Sequence, residues 1–419
     1  MVVAVMAVNL ALGALSKVSC LSPTSNATAL RACYNDIQFI FVNRGLALHI
    51  FPYVHGTYSV AQGAVALGHG EVEYPTLMGL VAWLTALPTT SQYSYFAINI
   101  VLLALFGALS AWLLAKIAGW RALVFAATPG LALYAYLNWD LIPVACAVGG
   151  VYLWARRRPI WAAAALSVGA DFKFWPALLL LPLVAELLAD RRRRCAVGVV
   201  GVAASCAAVA NLPFLVANPR GWFAPFAFQA ARQVDIGTNN LWYWAGRSLG
   251  TSTVDVLSLL LSAAGAALVL YWAWLTTKRT GVFPFVQASA MMVFWYLLCS
   301  KDFNTQYALW ALPFFAMLRL RYHLWLQFAA SNALLYILWF LVPDQGAPMA
   351  FSVFWRSVVL LVAIRAATRA EPVGLLAPGT GGAQTGHRHD GRQLQGRGPV
   401  AGRGPAAAPD GTALLGGAL

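Results

Sequence analysis

Residues 166–182, LSVGADFKFWPALLLLP, set an aspartate and a lysine inside a run from Pro159 to Ala189 that is otherwise almost wholly apolar. A charge at bilayer depth costs about 2.5–3.5 kcal/mol on insertion scales, so Asp171 and Lys173 need a partner or a watery cavity. The run is also too short for two full crossings, each of which takes about 20 residues. It therefore reads as a short hairpin with Lys173 at its tip and Pro176 breaking the return. Broken helices at membrane depth are tolerated where they line a cavity, and this places Lys173 facing one.

The rest of the chain fits that setting. Of 419 residues, 60% are hydrophobic and 10% charged, where a soluble domain carries about 25% charged residues. Mean hydropathy is +0.68. This is the composition of an all-α polytopic membrane protein. In a soluble chain a net charge of +14 would suggest nucleic acid; here Lys and Arg mark cytoplasmic loops instead, and no nucleic-acid partner is expected. Seventeen Trp and fifteen Tyr suit two membrane interfaces. The six cysteines show no metal-ligand spacing. Cys146, Cys195, Cys206 and Cys299 lie in or beside apolar spans, while Cys20 and Cys33 flank a polar loop. An extracytoplasmic loop there permits either a disulfide or two free thiols.

Apolar windows predict about twelve spans: 1–16, 93–115, 121–137, 141–155, 159–170, 174–189, 195–217, 253–276, 282–299, 306–318, 323–342 and 348–368. The first lacks the basic start and small-residue cleavage site of a signal peptide, so it reads as a helix. The segment 74–88, YPTLMGLVAWLTALP, reads as a re-entrant or interfacial helix. With the chain starting inside, the compact basic clusters Lys116/Arg121, Arg156–Arg158, Arg191–Arg194, Lys278/Arg279, Arg319/Arg321 and Arg365/Arg369 all fall on one side. That alternation predicts cytoplasmic N- and C-termini in the cell membrane. It leaves two long outer loops, 17–92 and 218–252, within a membrane domain over 1–370. Residues 371–419 are rich in Gly, Pro and Ala and read as a disordered cytoplasmic tail, in which His387 and His389 are incidental.

The outward face collects six polar and aromatic stretches. They are YNDIQFIFVNRG (34–45), EVEYPTL (71–77), NWDLIP (138–143), DFKFWP (171–176), TNNLWYWAGR (238–247) and KDFNTQYALWALP (301–313). Any one of them has a plain structural reading, because Asp and Asn cap helices and Trp and Tyr belong at interfaces. Asp140, Asp255 and Asp344 fit that reading individually. Six such stretches on one side, with breaks at Pro75, Pro143, Pro176 and Pro313, describe the mouth of a cavity.

In order and spacing these stretches resemble the integral-membrane GT-C glycosyltransferases that use polyprenyl-phosphate sugars. The likeness is to glycosyltransferase family 87, the actinobacterial mannosyltransferase-like group. It rests on the Asp of CYNDI (33–37), FPYVHG (51–56) followed by EYPTL (73–77), NWD (138–140), the K-x-x-P of DFKFWP, and NTQYALWALP (304–313), over roughly residues 30–320. The resemblance implies a GT-C-like fold and inverting transfer of a sugar, mannose first, from a polyprenyl-phosphate donor to an acceptor hydroxyl on the extracytoplasmic face. The acceptor would be a glycan, glycolipid or protein. Asp36 and Glu73 could share a divalent cation, as in some GT-C enzymes, but a lipid monophosphate donor does not require one, and neither a metal nor a cofactor is expected.

Such a reaction needs a base for the acceptor proton, a cation for the departing phosphate, and a groove for the lipid. The resemblance assigns the base to Asp36; Glu73 is the second choice from the residues, followed by Asp140. A helix cap or a pair with Arg44 is the structural alternative for Asp36. Lys173 suits the donor phosphate as a compact cation, with Lys301 and Arg247 behind it. Its structural alternative is a pair with Asp171. Tyr34, Tyr74, Asp140, Asn239, Asn240, Trp242, Asn304, Gln306 and Tyr307 are candidate substrate-binding residues.

A transporter or lipid flippase is the main rival, and it should carry charges along a path to both faces. A multi-pass acyltransferase would want a cavity histidine, for which His55 in FPYVHG is the candidate among His49, His55 and His69. An inactive membrane scaffold is the remaining reading.

Overall fold

The computed structural model describes residues 1–21, 33–61, 64–246, 248–342 and 346–376. Arg247, Asp344, His387 and His389 lie outside the described residues.

The first apolar run is helix α1 (Val2–Ser16), with Met6 and Leu10 buried. Across the first loop follow α2 (Asp36–Asn43), the strands β1 (Tyr58–Ala61) and β2 (Ala64–Leu67), and α3 (Thr76–Ala86). Helix α3 is the expected short helix of 74–88. The chain is mostly helical, as expected; within it β1 and β2 form a small hairpin, pairing antiparallel from Tyr58↔Leu67 to Ala61↔Ala64. Neither YSVA nor AVAL alternates apolar with polar residues, so the strand pattern is absent from the sequence. Cys20 and Cys33 are joined as a disulfide, with 5.5 Å between their Cα atoms.

Helix α4 (Gln92–Ala118) opens on a capping box between Ser91 and Ser94. The single span expected over 121–137 is corrected to two pieces, α5 (Leu123–Ala126) and α6 (Pro129–Tyr134). Pro129 has no N–H to continue the ladder, and it pushes Thr128 to extended backbone (φ −66°, ψ 128°). Then come α7 (Leu141–Ala155), α8 (Pro159–Phe172), a 3₁₀ turn over Trp175–Leu179, α9 (Leu180–Ala189) and α10 (Arg193–Ala217). The stretch from Pro159 to Ala189 is thus the expected short hairpin. The second long loop contributes α11 (Pro219–Ala231) and the one-turn α12 (Leu241–Ala245). The chain continues through α13 (Thr251–Thr280), α14 (Phe285–Cys299), α15 (Ala308–Met317), α16 (Tyr322–Tyr336) with a π-helical turn to Leu341, and α17 (Ala347–Ala367).

Among the described residues, five stretches are long and apolar enough to cross a bilayer: Gln92–Ala126, Arg193–Ala217, Thr251–Thr280, Tyr322–Leu341 and Ala347–Ala367. The shorter apolar helices run 10–17 residues. The protein is therefore a helical chain with several segments suited to a membrane.

Loops far apart in sequence pack against one another in two sets of contacts. In one group Arg121 donates to the Tyr322 hydroxyl at 2.8 Å and the Leu318 carbonyl at 2.9 Å. There too Trp154 stacks on Phe285 at 4.2 Å, and Gln287 reaches the Ala370 carbonyl at 3.1 Å. In the other group the Asp36 N–H meets the Leu137 carbonyl at 2.8 Å, Gln229 meets the Glu73 carbonyl at 3.1 Å, and the Phe303 N–H meets the Thr238 carbonyl at 2.9 Å. The start of the predicted tail is corrected as well. The Arg319 N–H donates to the Glu371 carbonyl and the Val373 N–H to Met317, with Val373 and Leu376 buried.

Candidate active site

Helix α2 begins where it does because the Asn35 side chain accepts the Gln38 N–H at 2.8 Å. Asp36, the first residue inside, sits at the positive end of the helix dipole, which favours a carboxylate. Its Oδ1 accepts from the Tyr34 hydroxyl at 2.8 Å. Its Oδ2 accepts from the Asn138 amide at 2.6 Å and the Tyr74 hydroxyl at 3.1 Å. Both structural alternatives for Asp36 are therefore vacated: Asn35 is the cap, and Arg44 pairs with Glu73. Arg44 also donates to the Leu67 carbonyl at 3.2 Å, tying the β-hairpin to the site.

Asp36 opens onto a cavity of about 750 Å³. Its polar lining brings together eight residues singled out in the sequence: Tyr34, Asp36, Glu73, Tyr74, Asn239, Asn304, Gln306 and Tyr307. It adds six that were not sequence candidates, Arg44, Asn138, Gln229, Arg232, Asp235 and Thr305. Asn138 stands beside Asp140 in NWD, and Arg232 is one of several basic residues in the outer loops, with no motif around it. Phe39, Ile40, Phe228, Ile236, Trp339 and Phe340 form an apolar edge. Among the described residues, no histidine lines this cavity.

Arg232 follows α11 and donates through Nη1 to Asp302 at 2.7 Å. The Asp302 charge holds the guanidinium above its ordinary pKa. Burial pushes the Asp302 carboxyl up, against the pull of Arg232 and a hydrogen bond from Tyr307 at 3.3 Å. A guanidinium has five donors, and Asp302 takes one of them.

Lys173 does not face the cavity as expected. Helix α8 ends at Phe172 and Lys173 turns to extended backbone, which carries its ammonium beneath the cavity floor. Nζ pairs with Asp140 Oδ1 at 2.8 Å. It lies 5.3 Å from the ring centre of Tyr74, 5.0 Å from that of Tyr307 and 5.8 Å from that of Trp310. The Trp310 indole donates to the same Asp140 oxygen at 2.7 Å. Lys173 and Asp140 are 6% and 0% exposed, and neither lines the cavity. Asp171, the lysine's neighbour in sequence, instead accepts from Asn211 at 2.9 Å.

Three more candidates serve the walls. Lys301 pairs with Asp255 at 2.6 Å and donates to the Ala230 and Arg232 carbonyls. Asn240 caps α12 by accepting the Tyr243 N–H at 3.0 Å, and the Trp242 indole donates to the Cys299 carbonyl at 2.9 Å. Neither Lys301, Asn240 nor Trp242 lines the cavity.

Glu71, two residues before Glu73, is fully buried against Gly56, and neither carboxyl oxygen has a hydrogen-bond partner. Burial pushes its pKa up from 4.5 to about 8. The folded chain keeps this proton while the unfolded chain loses it, so stability falls as pH rises from about 4.5 to about 8 and levels off above. The slope is at most about 1.4 kcal/mol per pH unit. Glu71→Gln is therefore expected to raise the melting temperature in detergent at pH 7.5 and to flatten the decline between pH 5 and 8. A wild-type Tm that is flat over this range, matched by the variant, would show that Glu71 does not titrate there.

Comparison with known proteins brings no match, either to a protein-family model or to a curated sequence.

Proposed function

We propose that this chain is a membrane-embedded, GT-C-like glycosyltransferase of about twelve membrane segments. It transfers a sugar, mannose first, from a polyprenyl-phosphate donor to an acceptor hydroxyl on the extracytoplasmic side. The observation that carries this reading is that a carboxylate, Asp36, and a cation, Arg232, line one cavity that also has an apolar edge. The polar wall suits sugar and phosphate, and the edge of Phe39, Trp339 and Phe340 suits an isoprenoid chain.

In the reaction the acceptor oxygen bonds to the anomeric carbon as the carbon–oxygen bond to phosphate breaks. The bonding pair leaves with the lipid phosphate, whose charge goes from one to two negative. Asp36 takes the hydroxyl proton. A single carboxylate at the reacting centre serves inversion. Glu73, committed to Arg44, orients one wall, and Arg232 stabilises the leaving phosphate. Lys173 takes no phosphate in this mechanism; it holds up the Tyr74 and Tyr307 floor.

The test is transfer of radiolabelled sugar from synthetic polyprenyl-phosphate mannose, arabinose or glucose by purified protein. Transfer from one of them is expected. Arg232→Met is expected to weaken lipid-phosphate binding roughly ten- to hundredfold, the worth of a charge-assisted hydrogen bond, and Arg232→Lys to recover part of it. Binding of all three lipids without transfer would overturn the enzyme reading in favour of a flippase or transporter.

A further inference from the structure

The second outer loop closes one wall of the cavity with a tight turn, and a cation on a distant helix holds that turn. Asn239 adopts φ +51°, a left-handed conformation uncommon outside glycine. Asp235 caps the turn by accepting the Thr238 N–H at 3.0 Å. Arg356, in the middle of α17, donates through Nη2 to the Asn239 backbone carbonyl. Its Nη1 donates to Asn332 Oδ1 at 3.2 Å, and its guanidinium lies 3.5 Å from the centre of the Phe303 ring. Arg356 is 0% exposed, and among the described residues no carboxylate lies within ion-pair distance. A buried arginine held by neutral acceptors alone is a costly device. What it secures is the backbone of one cavity residue.

The side chain of that residue is unfinished. Asn239 is 2% exposed and lines the cavity. Its Nδ2 donates to the Gly237 carbonyl at 3.0 Å. That bond fixes which way the amide faces, since the flipped amide would set oxygen against oxygen. Oδ1 is then left buried with no hydrogen-bond partner. An orphaned buried acceptor calls for a donor that arrives from elsewhere.

We infer that Asn239 Oδ1 accepts a hydrogen bond from a hydroxyl of the donor sugar, and that Arg356 is the positioning residue that presents it. The inference rests on the glycosyltransferase reading. The donor sugar is favoured because Arg232, Gly237 and Asn239 come from one short stretch of the loop and all line the cavity, which puts a sugar bonded to a phosphate at Arg232 near Asn239. Arg356 touches no substrate and acts only through the turn.

The experiment compares binding of a sugar-bearing polyprenyl phosphate with binding of the bare lipid phosphate, and follows amide hydrogen exchange over residues 236–241. Asn239→Gly keeps the left-handed turn while removing Oδ1. It is expected to lower affinity for the sugar-bearing lipid about tenfold, one hydrogen bond's worth, and to leave the bare lipid unchanged. Arg356→Met is expected to reproduce that selective loss and to speed exchange over 236–241; Arg356→Lys is expected to restore most of both. Equal affinities for wild type and Asn239→Gly, or faster exchange in Arg356→Met without loss of sugar preference, would overturn the inference. Wild-type protein that binds neither lipid would overturn the glycosyltransferase reading and the sugar assignment with it, while the exchange data would still decide whether Arg356 holds the turn.

Discussion

Asp36→Asn is expected to lower the rate of sugar transfer by about 10²–10⁴, the usual contribution of a general base, with binding of the lipid donor retained. The geometry makes this substitution a clean one. Asparagine keeps the size of the side chain and one oxygen for the donors on Tyr34, Tyr74 and Asn138. Hydroxyls can turn to accept from the new amide, so two of the three neighbours adapt without moving the backbone. What is lost is the ability to take a proton. Glu73→Gln is the contrast: it weakens the contact with Arg44 and should act on binding more than on rate. Single-turnover transfer and donor binding, measured on the same preparation, separate the outcomes. A rate unchanged in Asp36→Asn would remove Asp36 as the base. Loss of binding and rate together would make it a member of the wall.

Breaking the buried pair under the floor is expected to cost about 3–5 kcal/mol of stability, because removing one partner strands a charge out of water. Either Lys173→Met or Asp140→Asn should show this as a large fall in melting temperature in detergent. Lys173 and Asp140 are both buried, and Trp310 already shares the Asp140 oxygen, so no solvent stands ready to replace the lost partner. The double substitution Lys173→Met with Asp140→Leu should recover much of the loss, since apolar groups of similar volume can replace such a pair. Donor binding by the folded fraction is the discriminating measurement. Unchanged stability in Lys173→Met with a tenfold loss of donor binding would mean that the floor opens and the lysine reaches phosphate.

The candidate site was legible as a set of stretches and illegible as a set of roles. The polar residues of 34–45, 71–77 and 301–307 were picked out because polar and aromatic groups stand out against apolar spans, and many of them share the cavity. Which cation faces that cavity was not legible. Lys173 had the more suggestive sequence context, yet Asp140 and three rings claim it. Arg232, in a loop with no marked motif, lines the cavity instead. Pairings between residues far apart in the chain depend on how helices dock, and a single sequence carries no record of that.

By itself the sequence determined the helical membrane class, the short hairpin at 159–189 and the short helix near 76–86. Each follows from local quantities: apolar run length and proline positions along the chain. Only the tertiary structure decided that Asp36 is held by Tyr34, Tyr74 and Asn138, that Arg44 belongs to Glu73, that Lys173 lies beneath the floor, and that Arg356 grips the Asn239 turn. These contacts join residues up to 117 positions apart. The physical reason is that a buried charge must find its partner in space, and the partner nearest in sequence, as Asp171 beside Lys173 shows, need not be the one that the packing brings within reach.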